Sequence, residues 1–436
     1  MIYLALEIDE TLILKCLEKL NENQTKDKIY YDYYMGNHSI LTNYSMQDSR
    51  SNMKLVFNFP RKFVDNEVGY LLGKPVNYIS KSGSADIVSV IDSNLSMWDK
   101  EHNINLRKQS EIYGESYELD YVNSDGNFDS MVLNPRNTFV LEDGSDERNV
   151  LLAINTYQKP FDLNNYMDLY TPTEIISYRI GSNGAIGALV EIDRHKHIFN
   201  RVPIIVCSAN YERRSGIADI VSLCDAYNQI NSDLTNEIAD NRQAYLMITG
   251  AKLDDAGLTQ MKTQGVIQVP IGGKVDWLTK NINDSFVKNE AEIIRNEIYN
   301  MMDEVDVSQN WSSNTSGVAI AQKLLNLENR VAIREAIMEK VIKKRLVNLF
   351  TYVQKKKGVA YDINDVSIKF TRNLPTDLDN LADVISKLTG VCSQETLLSI
   401  LPFVTNPELE VKKYKAEHSE DSKPDAAQST SQNITL

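Results

Sequence analysis

Four side chains with metal-ligand chemistry alternate in one short stretch: Glu191, Asp193, His195 and His197. Carboxylates and imidazoles bind divalent cations, and in an extended strand every second residue shares a face. Same-face neighbours on a single strand rarely converge on one ion without ligands from elsewhere. The stretch is therefore expected to be a solvent-facing edge. GGK at 272–274 has the ending of a phosphate loop, but Gln268 stands where the first glycine is required and Val275 follows the lysine. Asp254 and Asp255 read as turn or helix-start residues rather than a metal pair. Cys16, Cys207, Cys224 and Cys392 lie too far apart for a C-x-x-C site and have apolar neighbours, so neither zinc nor a disulfide framework is expected. No G-x-S-x-G occurs either, and the chain is read as having no catalytic residue, metal or cofactor.

A second group of acids is spaced for a different purpose. Asp219, Asp233 and Asp240 fall at multiples of seven, with Glu237 between the last two, and Glu290, Glu297 and Glu304 repeat the interval. A charge run on a helix is usually a solvated face. Two such helices, separated by a small insertion and followed by a polar loop, open the alternative that the acids line a shared lumen.

These acids sit on the most regular elements of the chain. No Gly or Pro occurs between Gly216 and Gly250, and Ile217, Ile220, Cys224, Tyr227, Asn231, Leu234 and Ile238 follow three- and four-residue steps, which predicts one continuous heptad helix. A second seam runs through Val287, Ala291, Ile294, Ile298, Met301 and Val305. Between them, 247–278 is broken by six residues that are Gly or Pro into a small α/β excursion. After the polar loop SQNWSSNTSG (308–317), a helix is predicted over 318–357, which would span roughly 60 Å. Its apolar row is interrupted at Arg334 and Glu335, where a kink or a change of packing partner would fit. This helix is basic, with ten bases against three acids from 319 to 357.

The rest divides by pattern. To about Gly114 the chain reads as helices, and from Glu115 to about Val206 as short alternating strands separated by turns. A strand is expected at 366–375 and short helices after it, the second N-capped by Ser393 with Glu395 in its first turn. The composition from about Lys415 predicts a disordered tail.

With 436 residues, 42% hydrophobic and 24% charged, the chain is globular in composition. A net charge of −14 argues against tight wrapping of nucleic acid, which needs Lys and Arg to neutralise phosphates. It leaves transient passage of DNA past an acidic surface open. No run of about 18 apolar residues exists to cross a membrane. MIYLALEIDE has no basic segment before Asp9 and Glu10, so synthesis in the cytoplasm is expected.

The order of parts resembles the portal proteins of long-tailed double-stranded DNA phages, in the family typical of phages of Gram-positive hosts. The matching segments are YYMGNHSIL (33–41), VDNEVGYLLGKPVNY (64–78), YGESYELDYVN (113–123), NPRNTFVL (134–141), HIFNRVPIIV (197–206) and ERRSGIADIVSLCDAYNQINSDLTNEIADN (212–241). SGVAIAQKLLNLENR (316–330) and FTRNLPTDLDNLADVISKLTGVCSQETLLSILPFV (370–404) continue it. The resemblance implies an α+β, mainly α subunit, elongated, with long stem and wing helices, a β-rich wing module, a small α/β clip and a helical crown. By position, 1–216 is wing, 217–246 the first stem helix, 247–283 the clip and 284–307 the second stem helix. A tunnel loop at 308–317, a wing helix and strand at 318–375, a crown at 376–414 and a tail at 415–436 follow.

The resemblance also implies a virion location, at one capsid vertex, and a ring, usually of twelve subunits, that conducts DNA in packaging and ejection. The implied partners are double-stranded DNA, the terminase large subunit, the head-to-tail connector, and the major capsid and scaffold proteins, with no membrane. Ser308, Gln309, Asn310, Trp311, Ser312, Ser313, Asn314 and Thr315 would face DNA. Asp254, Asp255, Leu258, Gln260, Lys262 and Gln264 of the clip would dock partners. Asp219, Asp233, Glu237, Asp240, Glu290, Glu297 and Glu304 would line the channel, where carboxylates repel phosphate and let DNA slide. Two other readings use the same residues: a metal-dependent nucleic-acid-processing enzyme with a helical arm, and a capsid or scaffold component without a pore.

Overall fold

Asp9 opens the first helix by accepting the Leu12 amide at 2.8 Å, and Gly36, left-handed at φ 88°, closes it. The structure is a computed structural model, and it describes residues 8–46, 50–181, 189–241, 245–249, 259, 263, 271–278, 284–306, 324–373, 378–401, 404 and 407–420. That first helix, α1 (Glu10–Met35), buries Ile13, Cys16, Leu17 and Leu20 against a five-stranded antiparallel sheet. The strands lie in chain order: β4 (Thr138–Glu142), β5 (Val150–Gln158), β6 (Asn165–Tyr170), β7 (Glu174–Ile180) and β8 (Leu189–Lys196). Leu152, Ile154, Met167 and Leu169 face α1. Ala153 and Tyr170, of opposite parity, face a three-stranded sheet of β2 (Glu115–Val122), β3 (Phe128–Leu133) and β9 (Ile204–Ser208), in the order β3-β2-β9. Two-residue periodicity thus produces a sheet covered on both faces, with β8 at its end.

β2 is the exception to polar-out alternation. Tyr117 and Leu119 face the sandwich, while Ser116, Glu118 and Asp120 on the other face are completely buried. Their partners come from the long helix α8 (Leu325–Lys357): Arg345 donates to Glu118 at 2.8 and 2.5 Å, and Asn348 to Asp120 at 2.7 Å. Burial, with Glu118 beside it, pushes the Asp120 carboxyl far above the usual carboxylate range. Gly358, left-handed at φ 74°, ends α8. The part of the predicted helix before 324 falls outside the described residues.

The chain divides into two compact units, Met1–Glu67 with Asn105–Val359, and Val68–Ile104 with Ala360–Leu436. In the second unit β1 (Asn77–Ser80) pairs antiparallel with β12 (Val366–Lys369), and α4 (Ala85–Leu95) packs on β1. Asp365 fastens the pair by accepting from Ser80 Oγ at 2.7 Å and from the Ser82 amide at 2.7 Å. The helices α9 (Leu378–Leu388), α10 (Gln394–Ile400) and α11 (Pro407–Glu420) follow. Ser393 caps α10 as expected, accepting the Thr396 amide at 3.3 Å. α11 continues to Glu420, so the expected disorder from 415 is corrected: helix occupies the start of that tail.

Candidate functional site

Asp233, Glu237, Asp240, Glu290 and Glu297 belong to α6 (Val221–Asn241) and α7 (Asp284–Met301), which pack against each other in the first unit. Residues 242–244 between α6 and the next strand are not described, and β10 (Tyr245–Thr249) pairs antiparallel with β11 (Lys274–Leu278) to close the base of the predicted excursion. Ile217, Ile220 and Cys224 of the first seam are fully buried, but the seam fades toward its end, where Ile238 is 52% exposed. Instead Asn228, Ser232 and Asn236, four residues apart, are fully buried.

Their neighbour explains the exchange. Residues 51–57 run extended along α6 in the opposite direction and donate every second amide to it. Ser51 N donates to Asp240 Oδ1 at 2.9 Å, Met53 N to Asn236 Oδ1 at 2.7 Å, Leu55 N to Ser232 Oγ at 2.9 Å and Phe57 N to Asn228 Oδ1 at 2.8 Å. Four helical residues rise about 6.0 Å and two extended residues about 6.7 Å, so the two repeats stay in step for four rungs. Asn236 returns a bond to Met53 O at 2.9 Å. Phe57 and Phe59 close the end of this strap edge-on against Tyr227, and Phe59 also meets Tyr299 of α7. The start of α6 is fixed similarly: Asp225 accepts from Tyr33 Oη at 2.7 Å and Ser39 Oγ at 2.8 Å. Burial first, and Asp225 second, push the Tyr33 hydroxyl up to about 12.

Several candidate acids are consequently engaged within the chain. Asp219 lies in a short 3-10 turn before α6 and pairs with Arg214 at 2.7 Å. Asp233 accepts from Tyr44 Oη at 2.7 Å, and Asp240 holds the strap. Glu237 is half-buried. Glu290 and Glu297 are exposed on α7, where Val287, Ala291, Ile294 and Ile298 turn inward as the second seam predicts. Met301 is exposed and ends the helix, because Asp303 takes a left-handed φ of 56°. The helix expected through 307 is therefore shorter, and Glu304 leaves the stripe. Glu304 is half-buried, and burial, then Glu67, raise it to about 7.

Beside Glu304 lies a buried ion cluster that the sequence did not disclose. Glu67 of α3 (Phe59–Leu72) contacts Arg330 at 2.9 Å and also Arg334, while Glu111 of α5 (Asp99–Tyr113) pairs with Arg107 and with Arg334 at 2.9 Å. Arg330 also donates to Gly216 O at 3.3 Å. A Cβ on Gly216 would stand 2.0 Å from Glu111 Oε2, so glycine is needed there. The interruption at Arg334 is thus a change of packing partner: α8 runs unbroken while its guanidinium replaces an apolar contact. The only available signal was that break in the apolar row.

The His-rich strand does not converge. A bulge opposite Ser177 and Tyr178 breaks the alternation, Glu191 pairs with Arg194 at 2.7 Å, and His197 Nε2 lies 2.9 Å from Thr171 O. Among the described residues no group of three or more His, Cys, Asp or Glu is placed to hold a metal, and no helix is long and apolar enough to cross a membrane. Ser308, Gln309, Asn310, Trp311, Ser312, Ser313, Asn314 and Thr315 lie outside the described residues, as do Asp254, Asp255, Leu258, Gln260, Lys262 and Gln264.

Comparison with known proteins agrees with the order of parts. The phage portal protein family described as SPP1 Gp6-like matches residues 14–424. The portal protein of Bacillus phage SPP1 is 23% identical over 425 residues, covering 91% of this chain and 81% of that one. The portal protein of Clostridium phage phiCD119 is 22% identical over 260 residues, covering 58% of this chain and 56% of its own. Since the family match extends across nearly the whole chain, through strap, paired helices, excursion and long helix alike, the chain belongs to the SPP1 Gp6-like family of phage portal proteins.

Proposed function

We propose that the chain is one subunit of a ring at a capsid vertex, through which double-stranded DNA is packaged and ejected. The family match over 14–424 carries this reading. The ring has twelve subunits, α6 and α7 form its stem, and the excursion at 247–283 docks the terminase large subunit and then the head-to-tail connector. The β-rich layers form the wing, the helices after 376 the crown, and 308–315 the loop that meets DNA. No catalytic step is part of the proposal.

The acids belong to this reading as a low-friction lining. Glu290 and Glu297 suit it best, being exposed one heptad apart on α7, whereas Asp219, Asp233 and Asp240 already have partners in the chain. A ring turns each glutamate into a circle of charge, acting on phosphates within a Debye length of about 8 Å at physiological salt. Purified protein should appear in negative stain as closed rings with a central hole. The variant E290K/E297K should assemble normally and package DNA at least about tenfold more slowly, with the defect easing as salt is raised. Packaging at the ordinary rate would remove these two residues from the channel.

A further inference from the structure

An extended chain presents the N–H and C=O of alternate residues to opposite sides. In the strap, Ser51, Met53, Leu55 and Phe57 are committed to α6. The amides and carbonyls of Asn52, Lys54 and Val56 point the other way, and among the described residues none of them has a hydrogen-bond partner. The edge carries none of the usual defences of an open strand, which are proline, a bulge or an outward charge. No proline occurs before Pro60, and Lys54 sends its ammonium back to Leu41 O at 2.7 Å. Met53 and Phe57 are 42% and 36% exposed, so apolar side chains flank this row of donors and acceptors.

The same unit holds a second edge of the opposite kind. Among the described strands β8 pairs with β7 alone, every residue after Leu189 is exposed on both faces, and β-branched Val190 and Ile192 are 44% and 46% exposed. Only Leu189, at the start of β8, packs against the core beneath α1, and no residue of β8 packs against the core shared with the three-stranded sheet. A head-to-tail contact needs two different complementary surfaces on each copy. We propose that the outward edge of residues 51–57 takes an extended segment of a second copy of this chain by strand addition, with β8 as that segment. This rests on the ring reading and names the contact that would repeat around it. Backbone pairing would supply the affinity, and Met53 and Phe57 against Val190 and Ile192 the apolar closure.

Hydrogen exchange with residue-level fragmentation tests it on the full chain, comparing free subunits with assembled rings. The amides of Asn52, Lys54 and Val56 should exchange at least about a hundredfold more slowly in rings, and outward amides of β8 should gain protection with them. Met53 and Leu55, already bonded, should change little. Rings in which those three amides exchange as fast as in the free subunit overturn this inference and leave the ring standing. Protection of the strap without protection of β8 overturns β8 as the added strand. A chain that never assembles overturns the ring reading and this contact together. The variant V56P removes an N–H that nothing among the described residues uses. It should melt like the wild-type subunit and need at least about tenfold more protein to assemble. Assembly at the wild-type concentration counts against the proposal.

Discussion

A carboxyl that would ordinarily titrate near pH 4.3 stays protonated to about pH 7 at Glu304, because it is half-buried and faces Glu67. The folded state therefore binds more protons than the unfolded chain between those values, and stability falls as pH rises through that window. Replacing Glu304 with Gln keeps the shape and removes the titration. At pH 4 the variant should melt close to the wild type, and at pH 8 it should melt about 2 °C or more above it. Scanning calorimetry of assembly-deficient subunits at the two pH values checks this, and a constant difference would place Glu304 in water. Nothing in the sequence separates Glu304 from Glu297, seven residues earlier: the distinction arises from Asp303, whose left-handed backbone stops the helix without glycine. Arg334 and Glu118 were equally opaque. Charges buried by one another across 223 or 227 residues leave no local pattern, only a break in apolar periodicity.

Elements were read more successfully than residues. Missing Gly and Pro, seven-residue steps and capping residues located α6, α7, α10 and the unbroken course of α8. The alternating strands from Glu115 to Ser208 were equally visible. What failed was the choice of buried face on α6, since apolar content cannot reveal a helix that buries amides and a hydroxyl to satisfy an extended neighbour. That ladder predicts unequal costs. Asn236 serves Met53 N, Met53 O and Tyr44 Oη, whereas Ser232 serves Leu55 N alone. The variant N236A should lose about 2 to 3 kcal/mol and S232A about 1 kcal/mol in urea unfolding. Equal losses, or none above about 0.5 kcal/mol, would mean the strap contributes little to holding α6.

At the scale of the molecule, a ring subunit should be stabilised by its neighbours through mass action. The thermal midpoint of wild-type protein should rise when its concentration is raised tenfold across the assembly range, while V56P, kept below its own assembly concentration, stays constant. Differential scanning fluorimetry resolves this, and a concentration-independent wild type would argue against assembly. The four rungs between the strap and α6 have a further mechanical meaning. They lie side by side along the helix, so a pull parallel to its axis stretches all four at once, while a pull away from the axis opens them singly from one end. Such a pairing is stiff against axial thrust and compliant to lateral peeling, an anisotropy that would suit the stem proposed for α6 if its cargo moves along one direction under pressure.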